Sequence, residues 1–97
     1  MAYNLIITPE ADDNIVKACI YYDGIQDGLS DRFLSDLLSI YQVLIENPQY
    51  FSYISSKKKN RLRDVKISKF PYVIIFDIKD DVVTVYSVFH TSKKPKY

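Results

Sequence analysis

The chain has few of the residues that form disulfide bonds or bind metals, with one cysteine and one histidine among its 97 residues. It also has only two glycines and no tryptophan. A single cysteine cannot form an intramolecular disulfide, which fits a reducing compartment, and it excludes a metal site built on paired cysteines. We expect Cys19, in an apolar helical stretch, to be a buried small hydrophobic residue. There is no signal-peptide pattern and no run near the roughly 20 apolar residues of a membrane span. These absences predict a cytoplasmic protein without cofactor, metal or membrane contact.

The length predicts one domain over residues 1–97, and the hydrophobic content of 47% is typical of globular proteins. Charge is unevenly distributed. Residues 1–56 carry eight acidic and two basic residues, a net charge of −6, whereas residues 57–97 carry eleven basic and four acidic residues, a net charge of +7. This asymmetry favours a polyanionic or acidic protein partner for the basic half. The alternative is that acidic helices neutralise a basic sheet within the molecule.

The first half of the sequence predicts a strand followed by two helices. Residues 3–8 read as the strand, and Thr8-Pro9 supplies an N-cap and a first helical residue. The two glycines, Gly24 and Gly28, bracket the break between the helices. The second helix is predicted over about residues 30–46, where two adjacent apolar stripes give a wide face that favours deep burial.

The second half predicts three strands. Alternation begins at Arg61, and Val73–Ile78, apolar except for Asp77, is typical of a central strand buried on both faces. In Val82–His90 strict alternation would place Val83 and Val85 on one face and His90 on the other. The predicted order is β-α-α-β-β-β. The fold class is α+β, with a helical hairpin packed on one face of an antiparallel sheet and the first strand at a sheet edge.

Several short motifs occur in a recognisable order. They are Thr-Pro-Glu-Ala at the start of the first helix, Asn-Pro after the second, a basic strand, Lys69-Phe70-Pro71-Tyr72, and a last strand ending in His90 before a basic tail. Together these motifs resemble the RelE/ParE superfamily, the toxins of bacterial type II toxin–antitoxin modules. RelE-like members cleave mRNA in the ribosomal A site, ParE-like members inhibit DNA gyrase, and a small antitoxin neutralises both. The resemblance therefore implies a cognate antitoxin as partner, and the ribosome with mRNA or DNA gyrase as target.

A basic block lies between residues 57 and 69 and suits the neutralisation of phosphates. Its members are Lys57, Lys58, Lys59, Arg61, Arg63, Lys66 and Lys69. Arg61 and Arg63 share one strand parity, so both could face a concave sheet surface, where planar guanidinium groups make bidentate phosphate contacts. For the three consecutive lysines the alternative is a solvated segment that discourages edge-to-edge association. Lys93 and Lys94 in the tail are further candidates for binding phosphate or a partner.

A metal-free ribonuclease needs a base, a cation and an acid around the scissile phosphate. The resemblance implies that Arg61, Arg63, Lys66 and Tyr97 could fill these roles. His90 is either an acid or base or a structural, hydrogen-bonded histidine.

The last strand, Val82–His90, contains no arginine or lysine, although active RelE-like toxins usually place an arginine there. This departure favours a ParE-like, gyrase-directed toxin or one with weak nuclease activity. The alternatives are a ribosome-dependent mRNA endonuclease and a non-toxic interaction module of the same fold. A homodimer through the helical hairpin is also open.

Overall fold

Two helices lie against one face of a four-stranded sheet in the computed structural model, which describes residues 2–54 and 61–92. The elements in chain order are β1 (Asn4–Ile7), α1 (Pro9–Ile25), α2 (Leu29–Glu46), a short 3₁₀ turn (Pro48–Tyr50), β2 (Arg63–Lys66), β3 (Tyr72–Lys79) and β4 (Val82–His90). The predicted element order and fold class are confirmed. None of the helices in these two ranges is long and apolar enough to cross a membrane.

The sheet has the strand order β1-β4-β3-β2. Strands β2, β3 and β4 form the predicted antiparallel meander, and β1 joins at an edge as expected. However, β1 runs parallel to β4, so the sheet is mixed rather than wholly antiparallel. Alternation along single strands specifies which residues share a face, but it carries no information about the direction of an edge strand.

The start of α1 follows the prediction. Thr8 is the N-cap, its hydroxyl accepts the Ala11 backbone N–H at 3.2 Å, and Pro9 is the first helical residue. The break between the helices differs slightly, because α1 continues through Gly24. Gly28 makes the break with a φ of 83°, a left-handed conformation that glycine adopts without steric cost.

Asp23 compensates for the missing side chain at the start of α2. Gly28 is the N-cap of α2, and it has no side chain that could accept a hydrogen bond from the free backbone N–H groups at the start of that helix. The Asp23 carboxylate instead accepts the Ser30 backbone N–H at 3.0 Å and the Ser30 hydroxyl at 2.7 Å. These hydrogen bonds lower the pKa of Asp23. One residue of α1 thereby closes the hairpin turn.

The core lies between the helices and the sheet. Its largest fully buried members are Phe33, Leu37 and Leu44 from α2 and Ile74, Phe76, Val83, Val85 and Val88 from β3 and β4. The prediction that both stripes of α2 are buried is wrong for Leu38, which is 63% exposed. Cys19 is half-buried rather than buried. Burial, then Asp23, then Asp31 raise the pKa of its thiol.

A β-bulge in β4 changes which side chains face the helices. Ile75 pairs with Ser87 but Phe76 pairs with Val85, so Tyr86 is an extra residue on the β4 side of the ladder. Residues directly opposite each other point to the same face. His90, opposite Tyr72, therefore lies on the helix side together with Val83 and Val85. The strict alternation predicted for this strand is wrong beyond the bulge.

Candidate functional site

Arg63 lies on the helix side of β2. Its guanidinium contacts residues 49–53 of the segment between α2 and β2, which we call the connector. Nη1 donates to the Phe51 carbonyl at 2.5 Å and to the Gln49 carbonyl at 3.5 Å. The guanidinium carbon also lies 4.0 Å from the centre of the Tyr53 ring. Arg63 thus fastens the connector to the sheet edge, a packing role that strand parity alone did not predict.

The other described basic candidates do not converge with Arg63. Arg61 precedes β2 and is exposed. Lys66 is opposite Val73 and faces away from the helices, as its parity predicted. Lys69 lies in the connector to β3, beside Arg32 and Asp36 at a separate cavity of about 450 Å³. Lys57, Lys58, Lys59, Lys93, Lys94 and Tyr97 lie outside the described residues.

The strands themselves carry little net charge. β2 and β3 contain Arg63, Lys66 and Lys79 against Asp64 and Asp77, and β1 and β4 contain no lysine, arginine, aspartate or glutamate. On the side away from the helices, the Tyr86 hydroxyl donates to Asp77 at 2.9 Å. The positive charge of the basic half, residues 57–97, therefore belongs mostly to residues that flank the strands.

Two polar residues of the α1 segment bond to backbone groups around the bulge. The Thr8 hydroxyl donates to the Tyr86 carbonyl at 3.1 Å while capping α1. The Asn14 carboxamide oxygen accepts the Val88 backbone N–H at 3.0 Å and the Ser87 hydroxyl at 3.4 Å. These contacts satisfy buried polar groups where the ladder is interrupted. They also fix the orientation of the last residues of β4.

A cleft of about 450 Å³ opens between α1 and the end of β4; we call it the α1–β4 cleft. Its polar lining consists of Asn14, Lys17, Tyr21, Tyr72, His90 and Ser92, and its apolar lining of Ala18, Val88 and Phe89. A volume of this size is in the range of small-ligand and side-chain pockets.

The aromatic part of the cleft is held by ring contacts. The rings of Tyr72 and His90 lie edge to face, with centroids 5.3 Å apart. Tyr72 also packs against Tyr22 and Phe33 in the core. Burial, then Tyr21 and Cys19, raise the pKa of Tyr72, so its hydroxyl stays protonated at neutral pH and can donate a hydrogen bond.

His90 makes a local hydrogen bond at the mouth of the cleft. Its Nδ1 accepts the Ser92 backbone N–H at 3.1 Å, and the Ser92 hydroxyl lies 2.6 Å from the same nitrogen. In the neutral ring this bond places the proton on Nε2. Among the described residues there is no group of three or more histidine, cysteine, aspartate or glutamate side chains that could hold a metal ion.

Comparison with known proteins accords with this architecture. The model of the family described as the ParE toxin of the type II toxin–antitoxin system parDE matches residues 5–95. The chain belongs to the ParE toxin family. The sequence resemblance to the RelE/ParE superfamily is thereby confirmed, and no curated protein sequence matches this ParE-family chain significantly.

Two solved structures are similar to the whole fold. A chain of the chromosomal ParDE toxin–antitoxin system from P. aeruginosa has a TM-score of 0.78 and 12% identity, with 92% of this chain and 96% of that chain covered. A chain of the YoeB dimer from Staphylococcus aureus has a TM-score of 0.62 and 10% identity, with 93% and 99% covered. At these identities the similarity establishes the fold alone.

Sequence reasoning named two polar members of the α1–β4 cleft, His90 and the motif residue Tyr72, and did not single out Asn14, Lys17 or Ser92 for function. Asn14 and Val88 are 74 positions apart in the sequence. The local signal that could have pointed to Asn14 is a polar residue on the inner side of an amphipathic helix, since a buried polar group needs a partner.

Proposed function

We propose that this ParE-family protein arrests bacterial growth in the cytoplasm by inhibiting DNA gyrase, and that a cognate antitoxin neutralises it. The observation that carries the choice of gyrase over RNA cleavage is the placement of cations on the strands. Val82–His90 has no lysine or arginine, and the Arg63 guanidinium is bonded to the connector. A metal-free ribonuclease must gather positive groups around the phosphate as charge develops. The described strands supply only Lys66 and Lys79 for that task.

Family membership supports an antitoxin partner, and exposed apolar side chains suggest where it binds. Val16 and Ile20 on α1 and Leu38 on α2 are 50%, 69% and 63% exposed. Apolar groups of this size on both helices of a hairpin suit the apolar face of a partner chain. We propose that the antitoxin covers this surface. A homodimer is the competing occupant, and sedimentation of the free toxin would detect it.

Three measurements on one inducible strain test the proposed target. Induction of the wild-type chain should arrest growth, and purified protein should inhibit negative supercoiling by gyrase. Primer extension on cellular mRNA should show no new cuts within codons. Cuts within codons together with normal supercoiling would replace the proposal with a ribosome-dependent endonuclease. Normal growth at a verified level of folded protein would favour a non-toxic interaction module.

A matched pair of variants tests the antitoxin surface. Leu38→Glu should weaken antitoxin binding at least tenfold, because a charged group would be buried against an apolar partner. Ser39→Glu changes the charge equally at the next exposed position of α2 and serves as the control. Titration calorimetry with the product of the neighbouring antitoxin gene measures both. Equal affinities of the two variants would contradict this placement.

A further inference from the structure

The polar groups of the α1–β4 cleft are arranged as hydrogen-bond donors. The Asn14 carboxamide oxygen is engaged by the Val88 N–H at 3.0 Å, so the amide N–H groups of Asn14 remain available to the cleft. His90 Nδ1 accepts from Ser92, so the donor Nε2–H remains. The Asn14 amide and the His90 Nε2–H are therefore hydrogen-bond donors of fixed orientation. The Tyr72 hydroxyl is a third donor in the cleft.

The charge in the cleft has one sign. Within the part of the chain that the structure describes, Lys17 lines it, and no aspartate or glutamate does. The nearest carboxylate on the same helix, Asp13, pairs with Lys17 at 2.9 Å, with side chains 59% and 74% exposed. An exposed pair of this kind contributes little to stability, so the ammonium can turn from Asp13 to a ligand at small cost. Converging donors with one cation are the complement of an anionic oxygen pair.

The one cation among the described lining residues indicates which anion the cleft suits. Phosphate carries up to two charges, and proteins bind it with arginine clusters or helix N-termini. No arginine in residues 2–54 or 61–92 lines the cleft, and its wall on α1 is built from Asn14, Lys17 and Tyr21, which lie within the helix rather than at its start. A carboxylate has a single charge and matches one ammonium and neutral donors.

We propose that the α1–β4 cleft binds a carboxylate of a peptide partner, an aspartate or glutamate side chain or a chain end. The assignment of that peptide to the antitoxin rests on the proposed function. The carboxylate oxygens would accept from the Asn14 amide and His90 Nε2–H, and Lys17 would neutralise the charge.

The test uses the full chain labelled with ¹⁵N and ¹³C, titrated with N-acetyl-leucine, its neutral analogue N-acetyl-leucinamide, and phenyl phosphate. N-acetyl-leucine should shift the Asn14 side-chain amide and the His90 ring signals saturably, and at least tenfold more tightly than the amide analogue. Equal binding of acid and amide would overturn the proposal. So would tighter binding of phenyl phosphate, which would indicate a phosphate site, or the absence of any shift.

The decisive variant is Asn14→Asp. It keeps an oxygen for the Val88 N–H but replaces the amide donors by a negative charge, so affinity for N-acetyl-leucine should fall at least tenfold. Asn4→Asp makes the same change at an exposed position of β1 and should bind as the wild type does. If Asn14→Asp does not fold, Lys17→Gln, at an exposed position, should weaken binding several-fold. Unchanged affinity in the folded variant contradicts the proposal, whereas toxicity and gyrase inhibition test the proposed function separately.

Discussion

Replacing Thr8 by valine removes one hydroxyl that serves two elements. It accepts the Ala11 N–H at the start of α1 and donates to the Tyr86 carbonyl at the bulge. Loss of an N-cap costs about 1 kcal/mol, and loss of a hydrogen bond costs about 0.5–1.5 kcal/mol. Because valine has nearly the shape of threonine, packing changes little. We expect the free energy of unfolding to fall by about 2 kcal/mol.

Urea unfolding followed by circular dichroism measures this change, with Thr8→Ser as the matched control. Serine keeps the hydroxyl and loses one methyl group, so it should cost less than about 1 kcal/mol. The melting temperature of Thr8→Val should fall by roughly 8–16 °C in a domain of this size. If valine and serine destabilise the protein equally, or if Thr8→Val lies within about 0.5 kcal/mol of the wild type, the double role of the hydroxyl is refuted.

Three further changes have distinct expected outcomes. Arg63→Met should lower the free energy of unfolding, measured in urea, by about 1–3 kcal/mol, because it removes the donors to the connector carbonyls. Arg61→Met, at an exposed position, should change it by less than about 0.5 kcal/mol. Similar losses in the two variants would contradict the packing role of Arg63. Tyr41→Phe should stabilise by about 1 kcal/mol, because the Tyr41 hydroxyl is buried and has no hydrogen-bond partner among the described residues. Burial, then Asp12, raises the pKa of Tyr41 to about 12. The wild type should therefore lose stability between about pH 10 and pH 12, and the phenylalanine variant should lose less. Parallel curves of stability against pH for the two proteins would contradict this. Asp23→Asn should destabilise the protein at neutral pH. Because hydrogen bonds lower the pKa of Asp23, its carboxylate stabilises the fold above about pH 4, and the difference in stability between variant and wild type should narrow as acid protonates it. A constant difference from pH 7 to pH 3 would count against this.

The elements that the sequence predicted correctly are those with local signals. Thr8-Pro9 fixes the start of α1, and Asn47-Pro48 ends α2 at Glu46, because capping and proline geometry depend on a few adjacent residues. The apolar run in β3 predicted a central strand because burial on both faces removes alternation. Residues Tyr72–Phe76 of that strand are indeed buried.

The candidate site was harder to predict because it depends on one inserted residue. Alternation in β4 assumed a regular ladder, and the Tyr86 bulge inverted the face of every later side chain, including His90. Nothing in the local sequence marks this bulge, since its polar groups are satisfied by Thr8 and Asn14 from the other end of the chain. The predicted burial of Leu38 was wrong for a related reason. An apolar stripe indicates a surface that avoids water, but it does not specify whether this chain or a partner covers that surface.

The structure also changes how the basic block should be tested. A double alanine variant of Arg61 and Arg63 would remove an exposed charge and a packing contact together. Loss of toxicity could then follow from a loosened connector rather than from a missing phosphate contact, because Arg63 bonds to the Phe51 carbonyl. Arg61→Ala alone removes charge at an exposed position, and Arg63→Lys keeps the charge while losing the planar group. A target that needs only positive charge at position 63 would tolerate lysine there, whereas a fold that needs the guanidinium would not.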